Sequence, residues 1–175
     1  KAPRQIATPA PNASVAATRF TPVAGDASVK NLADSLGNTP EERAQILQLA
    51  GAGKQLFAQK YRGKGWDNTL AGAVTFFMTS TYIVATDREP SAAAEDNLFA
   101  SLNAALAQSE IVRASNADKT ALYNALLASA GLPLVFYVDG KQTGNAAQVA
   151  QAKTMAAGFS RKILNVEPEA LTGML

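Results

Sequence analysis

The chain has 175 residues, 47% of them hydrophobic and 17% charged, with a net charge of +2. That is enough apolar material for one domain with its own core, too little length for two, and too weak a charge bias for a nucleic-acid-binding surface. Histidine and cysteine are both absent, which removes thiol nucleophiles, disulfides, Ser-His-Asp and Cys-His arrangements, and nearly all zinc, copper and haem sites.

Residues 1–22 form an Ala/Pro/Thr/Ser-rich segment in which Pro3, Pro9, Pro11 and Pro22 forbid a continuous helix and favour an extended arm. Its beginning at Lys1 rather than Met, without an apolar run, reads as a mature chain after signal-peptide removal. Together with the lack of cysteine this points to a periplasmic or secreted protein. The division expected is an arm, 1–22, and a helical bundle domain, 23–175, with the arm lying on its own body or on a neighbour.

Helical signals then follow one another. Asp26 is placed to cap a short helix carrying Val29, Leu32, Ala33 and Leu36 on one face, with Gly37 as a left-handed stop. Thr39, Pro40 and Glu42 match N-cap, N1 and N3 of a capping box. That second helix presents Ile46, Leu49, Ala50, Gly53 and Phe57 and ends near Gly63. From Asn68 to Thr86 there are 19 residues without a charged side chain, with Asp67 as N-cap and a weakly polar stripe of Asn68, Gly72, Thr75, Thr79 and Thr86. A membrane helix needs about 20 predominantly apolar residues; this stretch is rich in Thr and Ser and lacks flanking basic clusters, so it reads as a buried central helix rather than a membrane span.

Ser91, after Pro90, starts a fourth helix with Leu98, Phe99, Leu102, Ala105 and Leu106 inward and Glu95, Asp96 and Asn103 outward. A fifth begins near Asn116 with Leu122, Ala125 and Leu126. Leu132–Val138 can continue it as a proline-kinked helix or form a short strand; helix is favoured because no second segment has strand character. Asn145 caps a last helix presenting Val149, Ala152, Ala156, Phe159 and Ile163. The fold class expected is all-α, a single-domain bundle of five to six helices around a central uncharged helix, with an extended N-terminal arm.

The pair Asp67-Asn68 followed by Ala71, Ala73 and Phe76, preceded by the PEER helix start at 40–43 and followed by Ala-rich helices, resembles an uncharacterised family of exported bacterial helical proteins. The resemblance spans roughly residues 20–165 and implies a helical fold and export. It implies no activity.

The candidate binding site is the interhelical segment 61–68, in which Tyr61, Arg62, Lys64, Trp66, Asp67 and Asn68 combine aromatic faces with cations that can hold a glycan, an anionic polymer or a protein partner. Each also has a packing or capping reason to be there. The segment Gly140–Gly144 lacks the first glycine and the Lys-Ser/Thr pair of a phosphate loop and reads as a turn. The close carboxylate pairs Glu41/Glu42, Glu95/Asp96 and Asp87/Glu89 could serve glycan hydrolysis, but sit at helix starts or on faces read as solvent-exposed. No catalytic residue, metal ligand or cofactor is assigned. The leading expectation is a non-enzymatic structural or interaction subunit that meets a protein partner or itself through residues 1–22, with no nucleic acid and no membrane span. The alternatives are a binding protein for a small apolar or glycan ligand and a carboxylate-dependent glycan hydrolase.

Overall fold

The structure, a computed structural model, describes residues 13–175. Six α-helices carry the fold: α1 Ser28–Leu36, α2 Pro40–Lys60, α3 Leu70–Thr86, α4 Ala92–Ala107, α5 Asn116–Thr143 and α6 Ala146–Phe159. The described residues contain no strand, only one isolated antiparallel bridge between Arg19 and Thr69. The first twelve residues of the expected arm lie outside the described residues.

Most helix starts are closed by the side chain that the sequence offers. Thr39 Oγ1 accepts from the Glu42 N–H, and Glu42 returns its carboxylate to the Thr39 N–H, completing the capping box with Pro40 at N1. Ser91 accepts from the Ala94 N–H and Asn145 from the Gln148 N–H, as expected. Two starts differ. Ala27, not Asp26, occupies the N-cap of α1, and the Asp26 carboxylate instead accepts from the Ser28 hydroxyl and from Asn124 on α5. Thr69, not Asp67, caps α3 through the Gly72 N–H, while Asn68 turns into the left-handed region at φ 53.

The α2 helix stops at Lys60, and Gly63 and Gly65 make the turn at φ 80 and 72. Gly37 is not a left-handed stop: its φ is −93. What it provides is room, because a Cβ there would lie 2.7 Å from Arg43 Cγ and 2.9 Å from the Arg43 nitrogen.

Helix α3 is the interior element expected from its lack of charge; between Leu70 and Val84 only Val74 and Ile83 are not fully buried. Its Thr stripe does not face solvent, since Thr75 and Thr79 are fully buried and Thr75 returns its hydroxyl to the Ala71 carbonyl. It shares the centre with α5, which packs against α1, α2, α3 and α6. Leu132–Val138 is helical, as favoured, and α5 runs unbroken through Pro133 to Thr143, so residues 140–143 are its last turn and Gly144 alone takes the left-handed stop at φ 69. Pro133 lacks an N–H and so leaves the Ser129 carbonyl without its helical donor. The inward face of α5 is Tyr123, Leu126, Leu127 and Ala130, and Leu122 is exposed. Among the described residues α5 is the one helix long and apolar enough to cross a bilayer by length and composition, and most of it is buried inside the bundle.

Helix α4 departs most from expectation. Glu95 and Asn103, expected outward, are 5% and 1% exposed, whereas Ala105 is exposed. Alanine is a poor marker of a face, and the partners of the two polar side chains come from distant parts of the chain. After α6, residues 160–164 form a π-helical turn in which Ile163 is exposed rather than inward. The turn at Pro168–Gly173 then brings Leu171, fully buried, against Met78, Tyr82 and Leu98.

Helices α2 and α5 meet backbone to backbone. A Cβ on Gly53 would lie 2.4 Å from Gly131 Cα, and one on Gly131 equally close to Gly53 Cα, closer than any real side chain is tolerated. Gly131→Ala is expected to cost about 1–3 kcal/mol through overpacking. Gly51→Ala, in α2 with open space around it, is expected to gain about 0.5–1 kcal/mol; thermal melts of the two variants followed by helical circular dichroism check the opposite signs.

Candidate functional site

The six residues singled out between α2 and α3 divide into two sets. The rings of Tyr61 and Trp66 are interior, 5% and 4% exposed. Trp66 stacks on Phe99 with centroids 4.2 Å apart and planes 5° from parallel, and meets Tyr61 at 4.5 Å. Their faces are thus occupied by the protein's own rings. Arg62 and Asp67 are exposed. Lys64 pairs with Asp96 and lies 5.0 Å from the Trp66 ring, and the Asn68 N–H donates to the Tyr123 hydroxyl at 3.2 Å.

What the segment binds is the N-terminal part of its own chain. Residues 15–18 form a 3₁₀ turn capped by Ser14, after which the backbone runs extended along the segment. Arg19 Nη2 donates to the Gly65 carbonyl at 2.7 Å and the Phe20 N–H to the Asn68 carbonyl at 3.0 Å. The Thr18 hydroxyl accepts from the Ala71 N–H, one of the orphan donors at the start of α3, and donates to Asn103 Oδ1 at 3.0 Å. Asn103 Nδ2 donates in turn to the Ser14 carbonyl at 2.7 Å. Further along, the Thr21 N–H reaches Asn116 Oδ1 and the Val23 N–H reaches Thr120 Oγ1. Phe20 enters the core edge-on to Tyr123 at 5.2 Å.

A second polar centre lies at the other end of α3. Asp87 ends that helix at φ 56 and accepts from the Tyr137 hydroxyl at 2.5 Å and from Lys153 Nζ at 3.0 Å, with Lys141 Nζ at 3.4 Å. The hydrogen bonds from Tyr137 and Lys153 hold its carboxyl down at about 2. Partial burial, then the hydrogen bond to Asp87, pushes the Tyr137 phenol up to about 12. Lys153 also donates to the Val84 carbonyl at 2.6 Å, a cation at a helix C-terminus. Beside this centre is a half-open cleft of about 370 Å³ floored by Phe76, Leu134 and Tyr137. A second, about 400 Å³, lies between α2, α5 and α6.

One or both members of each carboxylate pair considered for hydrolysis are engaged elsewhere: Glu42 in its capping box, Glu95 with Lys60 Nζ at 2.9 Å, Asp96 with Lys64, and Asp87 as above. Among the described residues no three His, Cys, Asp or Glu side chains come together as a metal site.

A family model described as a family of unknown function (DUF6683) matches residues 1–172. The chain belongs to DUF6683. No curated protein and no solved structure shows a match to it. For this DUF6683 chain the described part of the expected arm, residues 13–22, and the expected binding segment are brought together, while the sequence gives no role in gripping the arm to Asn103, Asn116 or Thr120. One signal was available for Asn103: a poor helix former four residues after Phe99, on the apolar side of an Ala-rich helix.

The low pKa of Asp87 sets an acid limb. A carboxyl depressed in the folded state contributes stability above its unfolded value of about 3.9 and loses it as pH falls through the folded value. Because the Asp87 side chain is 45% exposed, the contribution is no more than about 1 kcal/mol. Asp87→Asn is therefore expected to melt below the wild type at pH 6, and the gap is expected to close between about pH 4 and pH 2; melting temperatures of both proteins across that range check it.

Proposed function

We propose that this chain is an exported, non-enzymatic interaction subunit whose N-terminal segment is a docking element, seated on the loop, α4 and α5 of its own bundle or of a second copy. The observation that carries the reading is Asn103. Its side chain is buried in the middle of α4, and both ends of its amide bind the N-terminal segment, through Thr18 and the Ser14 carbonyl. A buried amide that leaves its partners costs about 1–3 kcal/mol, so the seat requires an occupant.

An extended peptide held by main-chain hydrogen bonds, with one aromatic anchor in a pocket, is a recurrent mode of protein recognition. Exchange of such a segment between identical chains makes the same contacts twice and needs only a linker that can reorient; residues 24–27, between the last of the gripping contacts at Val23 and α1, are exposed, and Gly25 takes a φ of 83. Export is supported by the Ala/Pro/Thr composition of residues 1–22 and the absence of cysteine. The test mixes two full chains distinguishable by mass, one carrying Thr18→Cys and the other Asn103→Cys. Mixed at high concentration under oxidising conditions, they are expected to give the mixed covalent dimer; a mixture in which that species never forms contradicts exchange.

A second reading, binding of a small apolar ligand, is favoured by the cleft of about 400 Å³, whose walls include Leu36, Ile46, Leu49, Leu132, Phe136 and Met155 and whose size is in the range of ligand sites. It predicts a retained adduct in native mass spectra of the purified chain; a clean mass of the protein alone counts against it.

A further inference from the structure

Helices α2 and α5 touch at Gly53 and Gly131, and further along the same pair they leave a half-open cleft of about 400 Å³ between themselves and α6. Its walls are apolar. Leu132 is buried, Ile46, Leu49, Phe136 and Met155 are half-buried, and Leu36, at the end of α1, is 41% exposed. A concave apolar surface of this size, walled by four helices, suits a small molecule better than a flat partner surface. Charge is nearly missing from it. Among the described residues Glu42 is the one charged side chain in the lining, and its carboxylate is committed to the Asn38 and Thr39 N–H groups at 2.7 and 3.3 Å. The guanidinium of Arg43, next in sequence, donates through Nε to the Gly37 carbonyl at 3.0 Å. The other polar members are three carboxamides, Asn38, Gln45 and Gln151, all exposed and so able to turn toward a ligand.

We infer that this cleft binds an uncharged, lipid-like molecule, with its apolar body against Leu49, Leu132, Phe136 and Met155 and a hydroxyl, carbonyl or amide end at the carboxamides. This rests on the cleft's being a small-ligand site and adds the charge class of its ligand. A carboxamide carries both donors and an acceptor, so Gln45 and Gln151 match a neutral polar end of either kind. An anionic end meets no cation in the lining and stands near the Glu42 carboxylate. A cationic end can pair with Glu42 only by drawing it away from the capping box. Burying an unpaired charge is costly, so both kinds of ion are selected against. Met155 supplies a flexible wall that adapts to the shape of the apolar body, which leaves the charge of the polar end as the main basis of selection.

Three probes of equal chain length test this: decanol, decanoate and decylammonium, each titrated into the full chain near neutral pH. Binding is followed in NMR spectra through the Met155 methyl and the side-chain amides of Gln45 and Gln151. Decanol is expected to bind at least about tenfold more tightly than either ion, because an unpaired buried charge costs more than the roughly 1.4 kcal/mol of a tenfold step. In Gln151→Lys, which sets a cation at an exposed position of the lining, decanoate is expected to gain on decanol by about fivefold. Either ion binding the wild type as tightly as decanol, or an unchanged ratio in Gln151→Lys, overturns the inference and leaves the small-ligand reading standing. No response of these signals to any probe contradicts the small-ligand reading itself, and the inference with it. Cleft signals that shift with protein concentration alone show a second copy seated there and also overturn it.

Discussion

The contact of Gly53 with Gly131 determines what the rest of this bundle can be. Only two residues without a Cβ let α2 lie against the backbone of α5, and this approach carries the aromatic residues of α2 into position. One turn after Gly53, Phe57 meets Phe76 of α3 and Tyr123 of α5 at 5.4 and 6.1 Å. One turn later Tyr61 joins Phe57 to Trp66, and Trp66 reaches Phe99 of α4. Offset and edge-to-face pairs of this kind add about 0.5–1.5 kcal/mol each beyond the area they bury, and here they run without a break from α5 to α4. The seat of the N-terminal segment depends on the same chain of rings, since Tyr123 both receives Phe20 and accepts from the Asn68 N–H.

Local chemistry was the legible part of the sequence. The Thr39 capping box, Ser91, Asn145 and the uncharged run at 68–86 each state their role within a few residues, because caps and periodicity act over a turn or two. The features that were misread are those decided by partners far away in the chain. Asp67, Asn68 and Thr69 are all capable caps, and the choice of Thr69 goes with Asn68 bending to φ 53 while its carbonyl pairs with Phe20. Glu95 and Asn103 look like the wet side of an amphipathic helix until Lys60 and Thr18, neither of them a neighbour in sequence, supply their counterparts. Tyr61 and Trp66 have the composition of a binding surface, two aromatic residues flanking a loop of two glycines and two cations, but their rings are consumed by packing.

With so few charges, the chain uses its buried or half-buried polar side chains, charged or not, as joints. Asp87 ties the end of α3 to α5 and α6 through Tyr137, Lys141 and Lys153. Glu95 ties α4 to the end of α2 through Lys60, and Asn103 ties α4 to the N-terminal segment. Each joint connects elements that hydrophobic burial alone would leave free to slide, because alanine-rich faces offer little shape to register against. The seat of the N-terminal segment differs from the others in one respect that bears on function: its occupant is a peptide, attached to the bundle by an exposed linker.

The segment proposed as a docking element would occupy the same seat on a second copy. Static light scattering of the full chain over a wide concentration range tests it most directly. A mass that rises above the 18.2 kDa of the single chain as concentration increases is expected; a mass that stays at that value at every concentration would contradict exchange of the segment.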